Sequence, residues 1–139
     1  MLDKPGNLNQ QHSPKVELNH LIILAKEKQR TADFITNLLD LPNAVSGDGS
    51  VPNFFLCIQF ANDIMILIAE TKEHSIGHYA FKVTNEHFER IVNKLKIEKT
   101  DFWADPRMQR PFECYEEEGN KGVYIIDPSG HGLEILTNL

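Results

Sequence analysis

With 139 residues and 41% hydrophobic content, the chain has room for one ordinary domain, or two half-size modules sharing a core, and is too apolar to be disordered. A net charge of −6 without a basic stripe excludes nucleic acid as the main partner, because phosphate contacts need clustered Lys and Arg. No stretch approaches the apolar length of a membrane span, and the first residues lack the hydrophobic core of a signal peptide, so a cytoplasmic protein with Cys57 and Cys114 reduced is expected.

Residues 1–15 are polar and rich in Pro, Gly, Asn and Gln, and read as a disordered N-terminal tail. Residues 16–24 read as a strand that His20 interrupts: Leu21 and Ile23 point one way, and Leu18, His20 and Ile22 the other. A helix is predicted over 31–41, where Phe34, Leu38 and Leu41 are spaced by four and three and Pro42 forbids continuation. After a loop with Gly47 and Gly49, residues 54–60 and 64–69 are apolar runs separated by Ala61-Asn-Asp63, a hairpin signal. The first module, residues 16–70, therefore reads strand, helix, loop, strand, hairpin strand.

Past a short linker at 71–75, residues 76–139 repeat the plan. His78 begins a strand over 77–83, with His78, Ala80 and Lys82 on one face and the bulky Tyr79, Phe81 and Val83 on the other. A helix over 85–97 follows, with Phe88, Val92 and Leu95 at the same spacing as in the first module. His20 and His78 lie 58 positions apart, too long a period for a solenoid unit, which points to two copies of one small module.

Residues 98–120 are irregular. Within them Trp103 and Phe112 suit an apolar wall or a core cover, and Arg107 and Arg110 suit bidentate binding of an acidic group or a place in a surface loop. Glu116-Glu-Glu118 reads as a solvated acidic turn. The chain closes with a hairpin: the β-branched and aromatic run at 123–126, the turn residues Asp127-Pro-Ser-Gly130, and an apolar strand at 133–136. Glu134 sits inside that last strand, where a carboxylate must be at an edge, paired, or bound to a cation. Packed into one curved structure, the modules bring His20, His78 and Glu134 toward one concave surface. Two imidazoles and a carboxylate form a site for Fe, Mn, Ni, Co or Zn with open positions, while spacing alone leaves each histidine equally open to a core or edge role.

The repeated plan, with Leu18-Asn-His20, Gly77-His-Tyr-Ala-Phe81 and Gly122-Val-Tyr-Ile-Ile-Asp-Pro-Ser-Gly-His-Gly-Leu-Glu134, resembles the vicinal oxygen chelate superfamily. That superfamily includes glyoxalase I, extradiol dioxygenases, fosfomycin-resistance thiol transferases and bleomycin-resistance proteins. The resemblance covers residues 16–137 and implies an α+β fold of two tandem βαβββ modules forming a curved, partly open mixed sheet around a metal site, usually in a homodimer. The ligands it implies are His20, His78 and Glu134.

Departures narrow the function. Glyoxalase I has a fourth ligand, a glutamate in the last strand of the first module; Ile66 occupies that position here, and Glu70 shares its parity near the strand end, as a candidate ligand or catalytic group. Thiol transferases carry a threonine two residues after the first histidine, where this chain has Ile22. Extradiol dioxygenases carry extra acid/base groups, for which Tyr124 and His131 are candidates, although His131 falls in the hairpin turn and is expected at the surface. Through Trp103-Ala-Asp-Pro-Arg107 and Arg110-Pro111 the chain is most similar to small single-domain members without established substrates.

The resemblance implies a divalent-metal-dependent enzyme, of lyase, isomerase or dioxygenase type, that chelates two neighbouring oxygens of a small oxygen-rich substrate and stabilises an oxyanion or enolate. The alternative is a bleomycin-resistance-like binder that holds a cationic drug in an acidic groove, which the charge of −6 suits.

Overall fold

A computed structural model describes residues 14–138; the tail expected over 1–15 lies, for residues 1–13, outside the described residues. The first module is β1 (His20–Ala25), α1 (Lys28–Leu39), β2 (Val45–Ser46), β3 (Leu56–Gln59) and β4 (Met65–Glu70). The second is β5 (His78–Lys82), α2 (Asn85–Ile97), β6 (Tyr115–Glu117), β7 (Asn120–Ile126) and β8 (Gly132–Leu136). Each module is βαβββ. Their strands form two open four-stranded mixed sheets of matching order, β1-β4-β3-β2 and β5-β8-β7-β6, in which β1 runs parallel to β4 and β5 to β8. Among the described residues no helix is long and apolar enough to cross a membrane.

The short strands β2 and β6 fall in stretches read as loop. With two and three largely exposed residues, they have no apolar alternation to announce them and form only because β3 and β7 offer an edge. In α1 the buried residues are Thr31, Ala32, Ile35, Thr36, Leu38 and Leu39, so of the expected Phe34, Leu38 and Leu41 the helix buries Leu38 fully, while Phe34 and Leu41 pack partly buried against the core. Asp40 adopts a left-handed conformation (φ 55°), and the Leu41 N–H closes onto the Thr36 carbonyl at 2.9 Å, so the helix stops before Pro42 exerts any effect. By contrast α2 spans the predicted residues, with Phe88, Ile91, Val92 and Leu95 buried and the Thr84 hydroxyl accepting from the His87 N–H at 3.2 Å.

Each helix covers one face of its own sheet, buried apolar side chains of both modules join in one core, and a set of polar and aromatic contacts fixes one module against the other. His131, expected at the surface, is 1% exposed. Its Nδ1 accepts from the Gly77 N–H at 2.8 Å and its Nε2 donates to the Leu24 carbonyl at 2.6 Å, so the turn between β7 and β8 is bolted to β1 of the other module. Asp127 shapes that turn, its Oδ1 accepting from the N–H groups of Ser129 (3.0 Å) and His131 (2.7 Å); burial pushes its carboxyl above the ordinary aspartate range. The Ser129 hydroxyl lies 2.7 Å from that of Thr31 and accepts from the Lys26 N–H. Elsewhere Phe60 stacks on Phe81 with centroids 5.4 Å apart, and Asp40 forms an ion pair with Lys94. A cleft of about 1040 Å³ lies at the junction of the modules, lined by Leu21, Leu41 and Phe60 of the first and Phe81 and Val83 of the second.

Candidate metal centre

Strand register decides which side chains share a surface, because residues paired across neighbouring strands point to the same side. In the second sheet Ala80 pairs with Glu134 and Glu134 with Tyr124, while His78 pairs with Gly132 and Tyr115 with Gly122. These residues form the face turned away from α2. On it His78 Nε2 stands 3.2 Å from Glu134 Oε1, and the Tyr115 hydroxyl donates to Glu134 Oε2 at 2.6 Å. A Cβ added at Gly132 would lie 3.3 Å from His78 Nδ1, so the glycine leaves the imidazole its place beside the strand.

The tyrosines enclose the carboxylate. Tyr124 lies with its ring 6.1 Å from that of His78 and 5.9 Å from that of Tyr115. Burial first, and then the neighbouring Glu134 carboxylate, push the Tyr124 phenol up to about 12 and the Tyr115 phenol higher still. Both are hydrogen-bond donors at any physiological pH. Trp103 exchanges backbone hydrogen bonds with Tyr124 (3.0 and 2.8 Å), continuing the sheet edge where β6 ends and placing its half-buried side chain on the same face.

The donor set fits a divalent cation. Two ligand atoms each about 2.1 Å from one ion lie about 3.0 Å apart at an octahedral angle and about 3.4 Å at a tetrahedral one; the 3.2 Å between His78 Nε2 and Glu134 Oε1 falls between these values. The proton shared there is the one a cation would displace.

His20 does not join the pair: among the described residues no three His, Cys, Asp or Glu side chains of one chain come together as a metal site. It stands exposed at the start of the edge strand β1, its Nδ1–H donating to Asn19 Oδ1 at 2.8 Å, which leaves the Nε2 lone pair outward. It shares its face with Ile22 and Leu24, which are 46% and 40% exposed. On β4 that face carries Met65, Leu67 and Ala69, the partners of His20, Ile22 and Leu24. Ile66 and Glu70 point to the opposite, helix-covered side, and Glu70 Oε2 accepts from the Lys28 N–H at 3.0 Å, capping α1. Arg107 and Arg110 are exposed in a loop that Asp105 organises through the N–H groups of Gln109 and Arg110, and Arg110 Nε pairs with Glu113 at 3.2 Å. Phe112 is exposed and packs edge-on against the buried Phe102. Tyr115 is the site residue that sequence reading missed, since it sits alone before an acidic turn in a strand too short to carry a pattern.

No family model matches the chain. Metallothiol transferase FosB of Lysinibacillus sphaericus (strain C3-41) is 23% identical over 124 residues, 86% of this chain and 81% of that protein. A glyoxalase/dioxygenase from Nostoc punctiforme has the same fold, with a TM-score of 0.68 at 19% identity over 100% of this chain and 97% of that one. The structure of Oxidase ChaP-H1 superposes with a TM-score of 0.82 at 34% identity, over 90% of this chain and 98% of that one. The chain belongs to the vicinal oxygen chelate superfamily. Of these relatives FosB is named as a transferase and the 34% identical ChaP-H1 as an oxidase, so relatives of the chain are enzymes while their reactions differ.

Proposed function

We propose that the protein is a divalent-metal-dependent enzyme acting on a small oxygen-rich organic substrate, with a centre made by His78 and Glu134 of one protomer and His20 of a second copy. The observation that carries this reading is the His78–Glu134 pair, at ligand spacing on the open face of the second sheet. The second copy is inferred because one chain brings together two of the three expected ligands, while the third stands outward on an edge strand with an exposed apolar face.

A divalent ion held there supplies Lewis-acid stabilisation of negative charge on substrate oxygens. Around it, Tyr124, kept protonated, donates a hydrogen bond to a substrate oxygen, and Trp103 forms an apolar wall. Between lyase or isomerase work and oxidative work we favour the oxidative reading, because the 34% identical ChaP-H1 is an oxidase. Ile22 in place of a threonine disfavours thiol transfer.

The test is the metal content of protein purified without added metal or chelator, beside the Glu134→Ala variant. Near-stoichiometric divalent metal that disappears in the variant is expected. Iron would support oxygen-dependent chemistry, and nickel, zinc or manganese would turn the reading toward isomerisation. Metal absent from both, with no uptake on reconstitution, would overturn the enzyme and leave a bleomycin-resistance-like binder as the better account.

A further inference from the structure

We propose that Tyr115 is a positioning residue for this centre: its hydroxyl holds Glu134 Oε2, so that Glu134 presents Oε1 alone beside His78 and acts as a one-oxygen ligand. The inference rests on the metal reading above and concerns how many coordination positions the protein leaves open.

Tyr115 and Glu134 belong to strands that are not neighbours, β6 and β8, with β7 between them. Opposite Tyr115 on β7 stands Gly122, and a Cβ added there would come 2.0–2.1 Å from the Tyr115 ring. The ring therefore lies over the bare backbone of β7, and the hydroxyl reaches Oε2 at 2.6 Å. Any other residue at 122 displaces the phenol. Glycine in a strand interior costs stability, and its place here is explained by this close approach.

A carboxylate without such a partner can rotate, present both oxygens to one cation, or turn away from it. A hydroxyl-to-carboxylate hydrogen bond of this length is charge-assisted and among the stronger in proteins, and it occupies one oxygen from the side away from His78. Held to one oxygen, Glu134 would take one coordination position of a bound ion; through both oxygens it would take two and leave one fewer for substrate. Tyr115 acts through Glu134, because its one hydroxyl proton is committed there.

Tyr115→Phe keeps the ring over Gly122 and removes the hydroxyl. Wild type and variant are titrated with Co(II) in place of the native metal, following affinity and the visible absorption of the bound ion, with far-UV circular dichroism confirming the fold. We expect Co(II) to bind the variant about ten- to a hundredfold more weakly, as is usual when a residue supporting a ligand is lost, with a shifted visible band that reports the altered coordination by Glu134. Gly122→Ala, which pushes the ring aside while keeping the hydroxyl, is expected to change the spectrum in the same direction. Co(II) bound by both proteins with the same spectrum overturns the role of Tyr115 and leaves the metal centre standing. Co(II) bound by neither overturns both.

Discussion

The imidazole Nε2 of His131 donates to the carbonyl of Leu24 at 2.6 Å, joining two modules across 107 positions of sequence. Since Nδ1 accepts from the Gly77 N–H in the same buried place, the ring is neutral, and it satisfies a donor on β5's approach and an acceptor on β1 together. Removing it strands both. His131→Leu, which keeps the volume, should destabilise the fold by about 2–4 kcal/mol, the cost of leaving two buried backbone groups unpaired. Urea unfolding with an unchanged m-value checks this, and a loss under about 0.5 kcal/mol would show that the contact adds nothing net.

Acid should act on the other junction between the modules. Lys94 beside Asp40 holds its carboxyl below the usual aspartate range, with His87 adding to the effect. A folded-state pKa below the unfolded one contributes stability that is present above the unfolded value, about 3.9, and is lost as pH falls through the folded value. Asp40 is 39% exposed, so solvent screening keeps the effect small. Asparagine tolerates the left-handed backbone at this position, so Asp40→Asn should lower the urea midpoint modestly at pH 7 and converge with wild type below pH 4. A gap that persists undiminished at pH 3 would mean that the charge is not its source.

How far the sequence showed these features depended on whether a residue belonged to a pattern. The helix α2 and the terminal hairpin were legible because Phe88, Val92 and Leu95 repeat at helical spacing and Asp127-Pro-Ser-Gly130 has turn chemistry. The βαβββ repeat followed, and with it His78 and Glu134, each conspicuous as a polar group in an apolar strand. His131 was illegible because a turn position suggests exposure, whereas its burial is produced by β1 of the other module. Tyr115 was illegible for a related reason: its partner is two strands away, and the condition for reaching it is the missing side chain of Gly122. The side of β4 that faces His20 was misjudged through Ile66, and the parallel register with β1 shows that Leu67 stands there instead.

Trp103, the single tryptophan, lies on the same face as Glu134 and is tied by backbone hydrogen bonds to Tyr124. Its fluorescence should therefore fall in a saturable way when Co(II) or Ni(II) is added, and this response should be lost in Glu134→Ala. Quenching that grows linearly with metal, and equally in the variant, would be collisional and would separate Trp103 from the centre.

The second copy can be tested without a structure. His20→Ala and Glu134→Ala should each fail to retain metal, since every site in either homodimer lacks one ligand. When the two are mixed and their subunits exchanged, a mixed dimer holds one centre with His20 from the Glu134→Ala chain and His78 and Glu134 from the His20→Ala chain. The other centre of that dimer lacks both. Random pairing makes half of the dimers mixed, so metal should return to about a quarter of the wild-type level for a two-fold interface in which each copy completes the other's site. A ligand set contained within one chain predicts no recovery at all, because neither variant carries all three groups. Recovery therefore assigns His20 to the neighbouring protomer, and its absence, with wild type fully loaded and the subunits shown to exchange, would remove the two-chain centre.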